Sequence, residues 1–287
     1  MDGAGQPFLR LGLTGWPLGH SLSPRLHQAA LKAAGLEGEY RLYPVPPLPE
    51  GRTALGELLE AVRQGRLDGL NVTIPHKQAV LSLLDELSPA AQAIGAANTI
   101  YARAGRLVGD NTDAPGFLAD LQRLGFSGQN ALVLGAGGAA RAVCYALLRA
   151  GWQVGISARR FEQAQALAAA LGGAAGAARA LAFEPATLRQ PFSLIINATP
   201  VGMHPNVEAS PWPEDVPFPA GAAVYDLVYN PAETALVRAA RAGGLRAASG
   251  LGMLVEQAAL SFQIWSGRRD VPRQPLWEAL AVEAEAP

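Results

Sequence analysis

The stretch Leu132-Val133-Leu134-Gly135-Ala136-Gly137-Gly138-Ala139-Ala140-Arg141 carries the plainest chemistry in the chain. It reads as a short apolar strand, a G-x-G-x-x-A turn and the start of a helix. The first glycine permits the turn, the second lets the backbone approach a pyrophosphate, and the alanine keeps the helix close to the sheet. The helix N-terminus then offers N–H groups to phosphate. Gly135, Ala136, Gly137, Gly138 and Ala139 are therefore the expected dinucleotide contacts, and the setting between strand and helix gives the motif its specificity. At the end of the next strand, about 20 residues on, an NAD enzyme places an acid for the ribose 2′-hydroxyl. Here the chain reads Ile156-Ser157-Ala158-Arg159-Arg160. Two guanidinium groups suit a 2′-phosphate, and as ordinary surface charges they would stand at the unfavourable end of a helix dipole. NADP is the expected cofactor.

Hydride transfer at an alcohol carbon needs a partner that gives or takes the hydroxyl proton. Four His and one Cys make no zinc-ligand cluster in the sequence, so no metal is expected. A Tyr-x-x-x-Lys pair is absent, because Gln28 and Thr73 stand four residues before the two lysines. Of 23 Lys and Arg residues only Lys32 and Lys77 are lysines. Arg stays protonated, whereas Lys can titrate when its surroundings favour the amine. Lys32 lies in a helical stretch and reads as a solvated charge. Lys77 follows Asn71-Val72-Thr73-Ile74-Pro75-His76, at the carboxyl end of a strand, where open α/β sheets bind ligands. Downstream, Gly109-Asp110-Asn111-Thr112-Asp113 sets a carboxylate at the start of another helix; on this segment alone Asp113 is equally an N-terminal cap.

The elements that must position these groups alternate along the chain. Periodicity predicts strands over Leu9–Leu13, Tyr40–Val45 and Leu70–Ile74, with helices over Ser23–Ala34, Ala54–Gln64 and Gln78–Leu87. Thr99–Ala102 and Leu107–Gly109 form a predicted hairpin. From Ala131 five apolar runs (Ala131–Leu134, Val154–Ile156, Leu194–Asn197, Ala223–Leu227 and Leu245–Ala248) alternate with Ala-rich segments, the pattern of a parallel sheet wrapped by helices. The Ala/Gly-rich stretch Ala168–Ala182 is read as helix, as are Met253–Ser266 and a short segment near Pro275–Ala284.

At 287 residues the chain suits two domains. A net charge of −1 with mixed signs argues against a nucleic-acid groove, and no apolar run approaches a membrane span. The N-terminal residues lack a basic region followed by an apolar core, so no signal peptide is expected. The single cysteine, Cys144, excludes a disulfide within the chain and suits a reducing cytoplasm. Small molecules are the expected partners, and a homodimer is left open.

Together the motifs resemble the shikimate dehydrogenase family nearly end to end. Gly15-Trp16-Pro17-Leu18-Gly19-His20-Ser21-Leu22-Ser23-Pro24 resembles its substrate motif, Asn71–Lys77 its lysine motif, Ala97-Asn98-Thr99 its asparagine motif and Asn111-Thr112-Asp113 its aspartate motif. Asn197–Met203 and Tyr225–Tyr229 are similar to the nucleotide domain, and Gly250–Ala258 to the C-terminal return. The resemblance implies NADPH-dependent, reversible reduction of 3-dehydroshikimate to shikimate, in the route to aromatic amino acids. It implies Lys77 and Asp113 as the catalytic pair. Ser21, Ser23 and Tyr229 would hold the substrate carboxylate, and Thr73, Asn98 and Gln257 the ring hydroxyls. Ala158, Arg159, Arg160, Leu227 and Gly250 would join the glycine turn around the cofactor.

It also implies an α/β protein of two domains joined across a cleft. A substrate domain would span 1–112 and 250–287, with C-terminal helices returning to it, and a Rossmann-type doubly wound nucleotide domain would span 113–249. Two departures stand out. Ala158-Arg159-Arg160 replaces the family's Asn-Arg-Thr, with Gln163 at a later basic position, and His76 replaces a common Phe, which reads as a spacer rather than a catalyst. The alternatives are a quinate/shikimate dehydrogenase of broader substrate and cofactor range, and a non-catalytic dinucleotide-binding regulator.

Overall fold

The computed structural model describes residues 8–172 and 176–281. They fall into two compact units, one made of the described residues up to 112 with those from 254 onward, the other of those between 113 and 253.

The first unit is built on a mixed six-stranded sheet. Its strands are β1 (Leu9–Gly15), β2 (Gly38–Pro44), β3 (Gly69–Val72), β4 (Glu86–Leu87), β5 (Thr99–Arg103) and β6 (Arg106–Asp110), in the order β2-β1-β3-β5-β6-β4. β1 runs parallel to both β2 and β3, whereas β5 is antiparallel to β3 and β6. The helices are α1 (Ser23–Ala33), α2 (Arg52–Arg63), α3 (His76–Ala79) and α4 (Pro89–Ile94). Two apolar clusters hold them to the sheet. One joins Leu11 and Leu13 to Leu26 and Leu31 of α1 and to Val255 and Phe262 from the C-terminal segment; the other joins Leu70 and Ile100 to Leu55, Leu59 and Val62 of α2. Each fully buried Leu of this kind stabilises by about 1.5–3 kcal/mol relative to exposure.

The second unit carries a wholly parallel sheet of β7 (Asn130–Leu134), β8 (Gln153–Ser157), β9 (Ala178–Ala180), β10 (Leu194–Asn197), β11 (Ala223–Asp226) and β12 (Arg246–Ser249). The order β12-β11-β10-β7-β8-β9 reverses direction between β7 and β10, which is the doubly wound order with a switch point at β7. Its helices are α5 (Asp113–Arg123), α6 (Gly138–Arg149), α7 (Phe161–Gly172), α8 (Pro185–Leu188) and α9 (Ala235–Ala242). Helix α10 (Leu251–Ser266) carries the chain back to the first unit, where α11 (Gln274–Ala281) follows.

Three local expectations are corrected. The strand expected to reach Ile74 ends at Val72, and Ile74 is exposed in the turn that follows. The helix expected over Gln78–Leu87 is one turn of α3, a 3₁₀ turn over Val80–Leu83 and then β4. Pairing decides it: β4 lies parallel to β6, and Asp85 Oδ2 accepts from the Leu107 N–H at 2.7 Å, a partnership between residues 22 apart. A Ser88 cap, whose Oγ accepts from the Ala91 N–H at 3.1 Å, then starts α4. In the Ala/Gly-rich stretch, helix ends at Gly172 and Ala178–Ala180 is an edge strand on β8, with 173–175 outside the described residues. An alanine run carries no strong period of its own, so the open edge of β8 settles its conformation.

Candidate active site

In the second unit the dinucleotide turn leaves β7 at the switch point. Gly135 has φ +115°, and a Cβ there would lie 2.9 Å from the Ala198 carbonyl of the neighbouring β10 loop. Its N–H donates to the Ser157 carbonyl at 2.7 Å, tying the turn to the end of β8. Gly137 is exposed at the start of α6, and a Cβ added there would meet nothing within 4 Å. Its N-cap, Gly137, has no side chain to accept from the first N–H groups of the helix. A buried, tightly turned glycine followed by an uncapped helix start fits a pyrophosphate. Ala158, half-buried, and the exposed Arg159 and Arg160 follow β8 directly. Leu227 and Gly250 lie beyond the ends of β11 and β12; the Leu227 N–H donates to the Asn197 carbonyl at 2.9 Å, and the Gly250 N–H to the Val228 carbonyl at 3.3 Å. Tyr229 is half-buried on the same loop, and Asp113 is buried at the start of α5.

In the first unit five of the expected substrate residues gather at one edge of the sheet. The strands β1 and β3 are parallel, so their carboxyl ends emerge together: the Thr73 N–H donates to Thr14 O and the Trp16 N–H to Ile74 O, both at 2.9 Å. Ser21 and Ser23 follow β1, and the Ser23 N–H donates to Ser21 Oγ at 3.3 Å. Thr73 and Lys77 follow β3, and the Lys77 carbonyl accepts from the Ala97 N–H at 2.8 Å, bringing Asn98 alongside. Asn98 is buried and its amide is clamped by Thr112: Nδ2 donates to Thr112 Oγ1 at 2.9 Å and Oδ1 accepts from the Thr112 N–H at 2.8 Å. Gln257, on α10, donates through Nε2 to the Leu254 carbonyl at 2.7 Å. His76 is fully buried with Nε2 2.8 Å from the Val45 carbonyl, so it braces the turn beneath Lys77.

Sequence reasoning assigned no role to a second set of residues that organise these loops. Asp226 is fully buried at the end of β11. Its carboxylate accepts from Asn197 Nδ2 (2.8 Å), the Val228 N–H (3.0 Å) and the Thr234 hydroxyl (2.6 Å). Asn197 Oδ1 in turn accepts from the Thr199 N–H and hydroxyl at 3.0 and 2.7 Å. The loops after β10 and β11 are thereby held by one carboxylate, whose burial lifts its pKa from 3.8 to about 6 against the three hydrogen bonds. The signal was present in the sequence, since Asn197 and Asp226 each end an apolar run, but their pairing across strands was not.

The chain is similar to known proteins over nearly its whole length. Residues 13–100 match the family model of the shikimate dehydrogenase substrate binding domain, and residues 250–281 that of the shikimate 5′-dehydrogenase C-terminal domain. The shikimate dehydrogenase (NADP(+)) of Salinibacter ruber is 46% identical over 280 residues, covering 94% of this chain and 96% of the relative. The crystal structure of shikimate 5-dehydrogenase from Thermus thermophilus in complex with NADP(H) and shikimate is similar with a TM-score of 0.84 at 43% identity, covering 95% of this chain and 98% of that one. Quinate dehydrogenase from Corynebacterium glutamicum in complex with NAD is similar at 32% identity and a TM-score of 0.85, over 96% of this chain and 99% of that one.

Proposed function

Since the chain belongs to the shikimate dehydrogenase family, we infer how its own residues carry the reaction. The enzyme reduces 3-dehydroshikimate to shikimate reversibly with NADPH. Bound NADPH supplies the hydride for the C3 carbonyl. Lys77 gives the proton to the carbonyl oxygen and, in the reverse direction, takes it from the C3 hydroxyl. Asp113 accepts a hydrogen bond from the reacting hydroxyl. The hydroxyls of Ser21, Ser23 and Tyr229 donate to the substrate carboxylate, while Thr73, Asn98 and Gln257 hold the ring hydroxyls. Polar groups committed to those hydroxyls reject analogues that lack them, because they would be left unpaired.

The N–H groups of Gly135–Ala139 hold the pyrophosphate, Arg159 and Arg160 the 2′-phosphate, and Ala158, Leu227 and Gly250 line the cofactor. In this reading residues 1–112 and 250–287 are the substrate-binding domain and 113–249 the NADP-binding domain. The enzyme works in the cytoplasm on a small molecule; Cys144 is buried, and burial pushes its thiol pKa up, away from the reactive thiolate. Among the described residues no helix is long and apolar enough to cross a membrane.

The observation that carries the reading is the gathering of Ser21, Ser23, Thr73, Lys77 and Asn98 at the carboxyl edge of β1 and β3. The test is an assay of the purified enzyme with shikimate or quinate against NADP+ or NAD+. Shikimate with NADP+ is expected to be the fastest pair. Preference for quinate with NAD+ would move the chain to the broader dehydrogenases, and no turnover with any pair would leave a dinucleotide-binding regulator.

A further inference from the structure

Helix α10 lays three residues at four-residue spacing along one stripe: Gln257, Ser261 and Trp265. Trp265 seats the helix on the sheet. Its Nε1 donates to the Ile100 carbonyl at 3.1 Å, and its ring lies so close to Gly69 of β3 that a Cβ there would be 2.4 Å away. One turn earlier, Ser261 is fully buried and touches three polar side chains of the sheet edge. Its Oγ is 3.1 Å from Asn71 Nδ2, 2.8 Å from Thr99 Oγ1 and 3.0 Å from Thr112 Oγ1.

Donor accounting gives the amide contacts a direction. The Asn71 amide is oriented by the Asn98 carbonyl, which can only accept, at 3.0 Å from Nδ2; Oδ1 then accepts from the Tyr40 hydroxyl at 2.8 Å. Asn71 Nδ2 therefore donates to Ser261. The Asn98 amide is oriented by the Thr112 N–H, which can only donate, so Oδ1 accepts and Nδ2 donates to Thr112 Oγ1. The hydroxyls then complete a closed cluster: Thr99 Oγ1 lies 3.0 Å from Asn98 Oδ1, Asn98 Nδ2 donates to Thr112, Thr112 Oγ1 is also 3.2 Å from Asn98 Oδ1, and Ser261 Oγ contacts both Thr99 and Thr112, where either hydroxyl can donate. All members are buried, where such chains strengthen one another and an unmade bond is costly. Tyr40 is steadied from behind by His27, stacked at 4.2 Å between centroids.

We propose that Ser261 is a positioning residue of the reaction: its hydroxyl braces Thr99 and Thr112, the two residues that clamp the Asn98 amide, and so holds Asn98 in place together with Thr112, the residue that delivers the chain into Asp113. The proposal rests on the substrate role given to Asn98 above. No part of it is visible from local sequence, because Ser261 meets its partners across 149 to 190 residues.

The test is steady-state kinetics of shikimate oxidation on the whole enzyme. Ser261→Ala raises the shikimate KM about threefold to tenfold, the range for loss of a hydrogen bond, and leaves the NADP+ KM unchanged. Thr99→Val, which removes the next hydroxyl at nearly constant shape, reproduces the effect, and Thr99→Ser, which keeps the hydroxyl, restores the wild-type KM. Because Ser261 acts through Asn98, the double variant with Asn98→Ala is no worse than Asn98→Ala alone. Additive effects in that cycle, or a shikimate KM unchanged in both Ser261→Ala and Thr99→Val, overturn the positioning role. So does a rise in both substrates' KM that follows a fall in Tm, which marks a purely structural serine. A wild-type enzyme inactive on shikimate would instead refute the function on which the proposal rests.

Discussion

Asp226 offers a prediction whose size follows from the structure. The carboxylate is fully buried and keeps three hydrogen bonds, yet desolvation outweighs them and raises its pKa from 3.8 to about 6. A carboxyl whose pKa is raised by folding holds its proton longer in the native state than in the unfolded chain. Its contribution to stability is therefore present below about pH 4 and is lost as pH rises through about 6. A difference of about two units at 1.36 kcal/mol each amounts to roughly 3 kcal/mol. Asp226→Asn removes the charge and keeps the geometry: Oδ1 still accepts from Asn197 and Val228, while the new NH₂ donates to Thr234 Oγ1. Thermal melts of both proteins from about pH 4 to about pH 8 isolate the effect, because all other titrations cancel in the difference. The variant's Tm should gain on the wild type by about 6–12 °C across that window, at about 2–4 °C per kcal/mol. A difference that stays flat, or falls with pH, refutes the claim that burial dominates at Asp226.

Four further outcomes are expected. Lys77→Met should lower kcat by about 10²–10⁴-fold, and Lys77→Arg should fail nearly as badly because a guanidinium does not release its proton; NADP+ binding measured by fluorescence titration should hardly change, and an active Lys77→Arg would end the proton-transfer role. Arg159→Ala should raise the NADP+ KM about tenfold or more, for loss of a charge-assisted bond, and the NAD+ KM far less; equal shifts would remove the 2′-phosphate assignment. Ser21→Ala and Ser23→Ala should each weaken shikimate binding by about 0.5–1.5 kcal/mol in calorimetry, with unchanged binding in both placing the carboxylate elsewhere. Gly69→Ala should destabilise by about 1–3 kcal/mol in chemical denaturation, since its Cβ would lie 2.4 Å from the Trp265 indole, and a neutral effect would mean that α10 is loosely seated.

The parts of this protein legible in sequence are those whose physics is local. A strand, a turn that needs Gly135 and a helix start sit within ten consecutive residues, so this strand–turn–helix unit is legible from local sequence. The four inner strands of the parallel sheet are covered on both faces and read as apolar runs, and the absence of an acid beside Arg159 is a fact of composition at one position. Lys77 stands out through the rarity of lysine in an arginine-rich chain, and the role proposed for it comes with the family resemblance.

Tertiary structure alone decided the rest. The stretch 178–180 became a strand because β8 offered it an edge, and residues 84–87 left the helical period because β6 offered pairing. Asn197 and Asp226 became a loop clamp only when β10 and β11 lay side by side. Asn98 is clamped by Thr112 and Thr99, and Ser261 reaches both of them only when α10 packs on the sheet. A hydrogen bond between residues more than a hundred positions apart leaves no periodicity in the chain; it exists because burial removes water and makes each polar group find its partner.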